Sequence, residues 1–370
     1  MIARRPLLQL DWGMLLPPVA LTTIGILLVF SASFHQGTSS TIAGSPWFRH
    51  GMFALVGLAI MLAVARLDYR IFRTFTPHFY LATIALLAFV DVAGQDVLGV
   101  RRWIDLGVIQ LQPSELAKFA TVLALARLFS DYKDQAAKPH ILVISLLLIA
   151  PCTFLVFVQP DLGTAIVFGV IWLGMAVMAG VRTFYLAALG AVGTAATIPA
   201  YLFMLKDYQR ERVHTFLDPS SDPLGAGYNI LQSEISVGSG GLLGKGLLNG
   251  TQSQLHFLRV QQTDFIFSVL GEELGFVGAA LVFVLFAVLL WRGLEAAVNA
   301  REDFGRLVAT GVVVMILAQA VINIGVNIRI FPVTGIPLPF ISAGGSSLLT
   351  MFFALGVLQS IYRHRTKPQW

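Results

Sequence analysis

Charge is scarce in this chain. Of its 370 residues, Asp, Glu, Lys and Arg together make up 12%, where soluble globular domains run near a quarter. So few charges cannot cover a chain that is 56% hydrophobic, which excludes an ordinary water-soluble domain and makes lipid the solvent. Cysteine is nearly absent as well. The one residue, Cys152, lies inside an apolar run and excludes an internal disulfide framework or a CxxC metal site. The seven histidines are scattered and make no HExxH, and there is no GxSxG nucleophile elbow. The run Gly238-Ser239-Gly240-Gly241-Leu242-Leu243-Gly244-Lys245-Gly246 has the look of a phosphate loop. A P-loop, however, needs Gly where Ser239 stands and Ser or Thr where Gly246 stands, and the spacing also misses GxGxxG. A flexible loop carrying Lys245 is the plain reading. The net charge of +5 does not indicate nucleic acid, because the basic residues fall at helix ends.

What the chain has is long apolar runs. Ten of them lie near 13–33, 50–65, 78–94, 114–129, 141–158, 162–180, 183–204, 265–291, 306–327 and 345–362, and a bilayer core takes about 20 apolar residues per helix. The first is too long for a signal-peptide core and lacks a small-residue cleavage site. One set of short loops and ends carries Arg4, Arg5, Arg66, Arg70, Arg73, Lys133, Lys138, Arg182, Arg292, Arg301, Arg306, Arg363, Arg365 and Lys367. The opposite set carries only Arg49, Arg101, Arg102 and Arg329, so the first set faces the cytoplasm. The expected fold is therefore an all-α polytopic membrane protein of about ten spans with both termini cytoplasmic. It reads as one membrane domain, 1–370, with a large extracytoplasmic loop, 206–263, between the seventh and eighth helices. That loop mixes Tyr208, Phe216, Tyr228, Ile230, Leu231 and Phe257 with polar residues, which argues that it is folded.

Ionisable groups in membrane helices are costly unless paired or hydrated, and each is a functional candidate. The fourth helix begins Gln112-Pro113-Ser114-Glu115-Leu116-Ala117-Lys118. Ser114 can cap it, and Glu115 and Lys118, three apart, share a face. They read either as an internal ion pair or as a cation held in a water-filled cavity to meet an anionic substrate. Before them comes Arg101-Arg102-Trp103-Ile104-Asp105, either an interfacial anchor or a phosphate contact with Trp103 packing on a sugar or lipid. The eighth helix begins at Asp264, with Ser268, Gly271, Glu272 and Gly275 on the same face. Gly271 and Gly275 form a small-xxx-small pair for close helix packing, and Asp264 can serve as a plain N-cap. Pro332, Pro337 and Pro339 with Gly344 and Gly345 break helical order near the outer end of the last two helices, which fits a groove admitting a lipid chain.

Several segments carry a family resemblance: Arg102-Trp103-Ile104-Asp105-Leu106-Gly107, Gln112-Pro113-Ser114-Glu115-Leu116-Ala117-Lys118, Gln159-Pro160-Asp161-Leu162-Gly163-Thr164, Asp218-Pro219 through Asp222-Pro223-Leu224-Gly225-Ala226-Gly227-Tyr228, Gly238-Ser239-Gly240-Gly241, Thr263-Asp264-Phe265-Ile266-Phe267 and Gly335-Ile336-Pro337-Leu338-Pro339-Phe340-Ile341-Ser342. In this order, from first helix to last, they resemble the RodA/FtsW group of SEDS proteins, and the elongation branch more than the division branch. Two positions depart from the pattern: Gln262 stands where the family usually has His, and Ala343 where it usually has Tyr. The resemblance implies a ten-helix peptidoglycan glycosyltransferase of the bacterial inner membrane. It implies an enzyme that joins lipid II units at the outer face, releases undecaprenyl pyrophosphate and uses the aspartate matching Asp264 in catalysis. It also implies partnership with a class B penicillin-binding protein, a transpeptidase, and with other membrane proteins of the elongation complex.

The residues suit that chemistry. Outside the membrane there is no ATP, so a polymerase needs an activated donor, and a lipid-linked sugar pyrophosphate is one. Its leaving group departs without a strong acid, unlike the alcohol released in glycoside hydrolysis, so a single base, Asp264, is enough. Arg102, Lys118, Arg210 and Arg212 are candidates to offset the pyrophosphate charge. Trp103, Glu115 and Asp161 complete the expected substrate-binding set, with a divalent cation, Mg2+ or Mn2+, as a further source of charge and no nucleotide. A lipid II flippase or a non-catalytic scaffold for a transpeptidase are the competing readings.

Overall fold

The computed structural model describes residues 10–34, 44–97, 100–105, 107, 110–199, 207–222, 225–255, 257–258 and 260–365. Among these are thirteen α-helices. They are α1 (Trp12–Ser33), α2 (Pro46–Val64), α3 (Arg70–Ala93), α4 (Pro113–Asp131), α5 (Pro139–Val158), α6 (Leu162–Met178), α7 (Thr183–Pro199), α8 (Asp207–Leu217), α9 (Ala226–Ser239), α10 (Thr251–Gln254), α11 (Ile266–Val298), α12 (Asp303–Asn327) and α13 (Gly345–Arg363). Each apolar window of the sequence contains one helix. Seven of them, α1, α2, α3, α5, α11, α12 and α13, are long and apolar enough to cross a membrane. The chain is a multi-pass membrane protein. Helices α6 and α7 are apolar but shorter, and α4 carries Glu115, Lys118, Arg127 and Asp131.

Local chemistry sets several helix starts. Proline opens α2, α4 and α5, where its missing N–H costs nothing and its fixed φ suits the first turn. The N-cap of α4 is Gln112, without a side-chain cap, and the Ser114 hydroxyl is buried without a partner. Ser114 therefore does not cap this helix: it lies inside the first turn, and its hydroxyl bonds none of the free N–H groups.

Helix α12 is the central post. In its apolar stretch 78% of residues are buried, against 22% for α2 and α3, and it packs on α4, α6, α11 and α13. Between α7 and α11 the described chain is folded, with α8, a single 3-10 turn (Pro219–Ser221), α9 and α10. The fold is not helical throughout. Between α3 and α4 three short strands, β1 (Gln95–Val97), β2 (Val100–Asp105) and β3 (Gln110–Leu111), form an antiparallel ribbon in the order β1-β2-β3. Trp103 pairs with Gln95, and Ile104 with Leu111.

Helix α11 is broken at Gly275, whose φ of 64° and ψ of −161° are not helical. A break frees backbone groups that need new partners, and the glycine-rich segment after α9 supplies them. Lys245 N donates to Glu272 O (2.9 Å) and Gly246 N to Glu273 O (3.0 Å), while Phe276 N donates to Gly241 O (2.9 Å) and Val277 N to Leu242 O (3.1 Å). Lys245 Nζ adds a 2.9 Å ion pair to Glu272. Two expectations are corrected here. The glycine-rich segment is pinned rather than a flexible loop, and Gly271 with Gly275 does not form a helix-packing pair. Gly275 leaves the helix and admits this segment's backbone at distances that a Cβ would block, while Gly271 packs alone against α9, where a Cβ would stand 3.2 Å from Val237.

Candidate active site

The turn 260–265 leads into α11. Asp264 N donates to Val260 O at 3.2 Å, and the residue that caps α11 is Phe265. Asp264 is thus not the helix cap, and its carboxylate is left for other contacts. Its backbone is held from several directions. Asn323 Nδ2 donates to Asp264 O (3.0 Å) and to Ile336 O (2.8 Å), and Asn327 Nδ2 donates to the same Asp264 O (2.9 Å). Ser342 Oγ donates to Thr263 O (2.6 Å), and Ala343 N to Gln262 O (2.9 Å). Asn327 Oδ1 accepts from both the backbone N–H (3.0 Å) and the hydroxyl (2.6 Å) of Ser268, whose hydroxyl also meets Ser233 of α9 at 2.6 Å. One amide stripe on α12 therefore locks the turn, α11, α9 and the irregular segment 331–344 together. That segment is largely covered by protein, with Ile336, Leu338, Phe340, Ile341 and Ser342 buried.

Gly335, at φ 74°, passes beside the Asp264 carboxylate, and a Cβ there would stand 3.8 Å from Oδ2. Burial pushes the Asp264 carboxyl up to about 6, because desolvation disfavours the charged form. A hydrogen bond with the Thr263 side chain opposes this, the Asp161 charge adds to it, and Arg102 and Arg212 oppose it. Asp264, Asp161, Arg102 and Arg212 thus sit within one electrostatic neighbourhood, drawn from the turn, α6, β2 and α8.

Arg102 is the staple of this group. Its Nε donates to Gln159 O at 2.7 Å, a second nitrogen donates to Pro160 O, and a third lies 3.9 Å from Asp161. Asp161 caps α6 by accepting from Thr164 N (3.1 Å) and its hydroxyl (3.0 Å). Trp103 is half-buried on the ribbon, and Arg210 is half-buried on α8. Glu115 and Lys118, each 1% exposed, are paired at 2.7 Å, and Lys118 also donates to Gln319 Oε1 at 3.0 Å. This is the internal pin, closed to solvent in this conformation and tied to α12 one turn from Asn323. Among the described residues no group of three or more His, Cys, Asp and Glu is arranged to hold a metal ion.

The family model for the FtsW, RodA and SpoVE cell cycle proteins matches residues 13–367. The chain belongs to this family. It is 43% identical over 352 residues to the peptidoglycan glycosyltransferase MrdB of Escherichia coli K12, covering 95% of this chain and 94% of that one. It is 38% identical over 349 residues to the stage V sporulation protein E of Bacillus subtilis, with 93% and 94% covered. Among solved structures it is similar to a chain from a study of how a peptidoglycan synthase complex coordinates polymerization and crosslinking, with a TM-score of 0.83, 30% identity and 96% and 98% covered. The rod shape determining protein RodA of Thermus thermophilus matches with a TM-score of 0.70 at 27% identity, covering 97% and 99%.

In this FtsW/RodA-family chain the residues that sequence reading missed are Gln319, Asn323 and Asn327. They are spaced by four in an otherwise apolar helix and nearly fully buried. That spacing was a usable signal, since amides on one face of a membrane helix need partners.

Proposed function

We propose that this chain is a peptidoglycan glycosyltransferase that polymerises lipid II at the outer face of the bacterial inner membrane, with Asp264 as general base. The observation that carries the reading is the Asp264 carboxyl itself. Its backbone is clamped by Asn323 and Asn327, it has no capping duty, and burial shifts it to about 6, near the pH at which a base works best. Deprotonating an acceptor sugar hydroxyl is the task such a group suits. Arg102 and Arg212 bring positive charge to the same neighbourhood, where a leaving pyrophosphate needs it. A Mg2+ or Mn2+ ion arriving with the pyrophosphate and keeping most of its water is a further source of charge in this reading. Lys118 and Arg210 belong to the proposed substrate set as cations for an anionic head group, with Trp103 packing on a sugar or lipid.

The proposed topology is ten spans in a single membrane domain, both ends in the cytoplasm and the 206–263 segment outside. The proposed partner is a class B penicillin-binding protein of the elongation machinery. Likeness to the glycosyltransferase MrdB supports the activity, and likeness to a chain of a peptidoglycan synthase complex supports the partnership.

The test is polymerisation of purified lipid II by the full chain, with and without that partner. Asp264→Asn should abolish glycan synthesis while the protein stays folded. Glycan chains made by that variant would remove Asp264 as the base, and movement of lipid II between leaflets without any polymer would replace the enzyme by a flippase.

A further inference from the structure

At the opposite ends of α11 and α12 from Asp264 lies a cavity of about 490 Å3, lined by residues of α3, α4, the α11–α12 connection and the start of α12. Arg73, Lys133, Arg301 and Arg306 reach its wall together with Glu302 and Asp303. Carboxylates are fewer than cations here, and they are shared. Arg73 (2.6 Å) and Arg127 (3.7 Å) both lean on Asp131, while Lys133 (2.8 Å) and Arg306 (2.9 Å) both lean on Asp303. Arg70 is held by Glu302 at 2.9 Å and Asp68 at 3.7 Å. Arg301 is exposed and makes no ion pair with any described residue. The Arg306 Nε is buried without a hydrogen-bond partner. Four cations and two carboxylates therefore line the cavity, with Arg70, Arg127, Asp68 and Asp131 in the ion-pair network behind it. The excess of positive charge and the unused N–H donor both call for an anion, and guanidinium groups suit phosphate oxygens.

The neighbouring surface says what carries that anion. Val298, which lines the cavity, is 77% exposed. Above it on the same face of α11 lies an apolar stripe of Val284, Val288 and the 71%-exposed Trp291. Glu295, which is paired with Arg292 and Arg365, separates this stripe from Val298. In a membrane-spanning chain such a stripe is covered by acyl tails, and tryptophan marks the level of the headgroups. We propose that the cavity holds the phosphodiester headgroup of an anionic phospholipid whose tails lie along this face of α11.

The test is native mass spectrometry of the full-length protein with phosphatidylglycerol or phosphatidylcholine at equal concentration, and with inorganic phosphate as competitor. Phosphatidylglycerol should be retained over phosphatidylcholine, and millimolar phosphate should not displace it. Arg301→Gln should weaken retention by roughly fivefold, from the usual strength of one cation near an anionic lipid surface. Glu302→Gln should strengthen it by a similar factor. Opposite signs in two variants at adjacent positions separate a binding effect from damage to the fold. Equal retention of the two lipids, or two variants that both match the wild type, would overturn the site. Displacement by phosphate would overturn the lipid as its occupant.

Discussion

Protonation of Asp264 ties the proposed chemistry to pH. A base shifted up to about 6 is charged above that pH and neutral below it, so polymerisation should fall about tenfold per pH unit below 6. Arg102 holds this group down and Asp161 pushes it up. Arg102→Gln should therefore move the acid limb of the rate profile to higher pH, and Asp161→Asn to lower pH. Profiles that coincide in all three proteins would show that another group sets the limb. The same shift bears on stability. A carboxyl raised on folding contributes most below its unfolded value and loses that contribution as pH rises through about 6. At neutral pH the charged Asp264 thus weakens the fold, and Asp264→Asn should melt no lower than the wild type. Asp264 was legible in the sequence because it stands where a polar segment meets an apolar one. The amide stripe of α12 could be read too, but not that Asn323 and Asn327 clamp Asp264, since they lie about sixty positions away and only the packing of α12 against the turn brings them to its carbonyl.

Among the elements, α4 and α12 are joined by the Glu115–Lys118–Gln319 contact, which is fully enclosed. Removing one partner of a buried pair leaves an uncompensated charge and costs about 3–5 kcal/mol, whereas replacing both is often close to neutral. Lys118→Met should therefore lower the melting temperature markedly, and Glu115→Gln with Lys118→Met should recover most of the loss. Thermal unfolding in detergent reads this directly, and a single variant as stable as the wild type would mean the pair is hydrated. Most helices could be read from the apolar windows, because a bilayer demands runs of one length and one character. The break in α11 could not be read. Leu274-Gly275-Phe276 continues the apolar pattern, and the positive φ arises only because the segment 240–246 supplies partners for the opened backbone. The ribbon before α4 was missed for a related reason: three strands of two to six residues are too short to show an alternating pattern.

At the scale of the whole molecule, the break divides α11 into two parts with different surroundings. Residues 266–273 are buried on every side, whereas Phe276 and Val277 begin a run of exposed apolar residues that continues to Val298. Residues 276–298 rise roughly 35 Å at 1.5 Å per residue, enough alone to cross a hydrocarbon core of about 30 Å. The first two turns of α11, with Glu272 and Glu273, then belong to the buried platform that carries Asp264. Bilayers of different thickness are met by changes in helix tilt, and a continuous helix would pass that tilt on to the turn that carries Asp264. Here the glycine-rich segment bonds both sides of the break, Glu272 and Glu273 above it and Phe276 and Val277 below it, so the lean of the lower part is passed to the upper part through that segment. The rate of glycan synthesis in nanodiscs of increasing acyl-chain length should accordingly change by more than about twofold, and a rate that stays within about twofold would show that the two parts move independently. Gly275 acts in this sense as a braced splice: the shaft changes direction there, and the glycine-rich segment carries its lean up to the residues around Asp264.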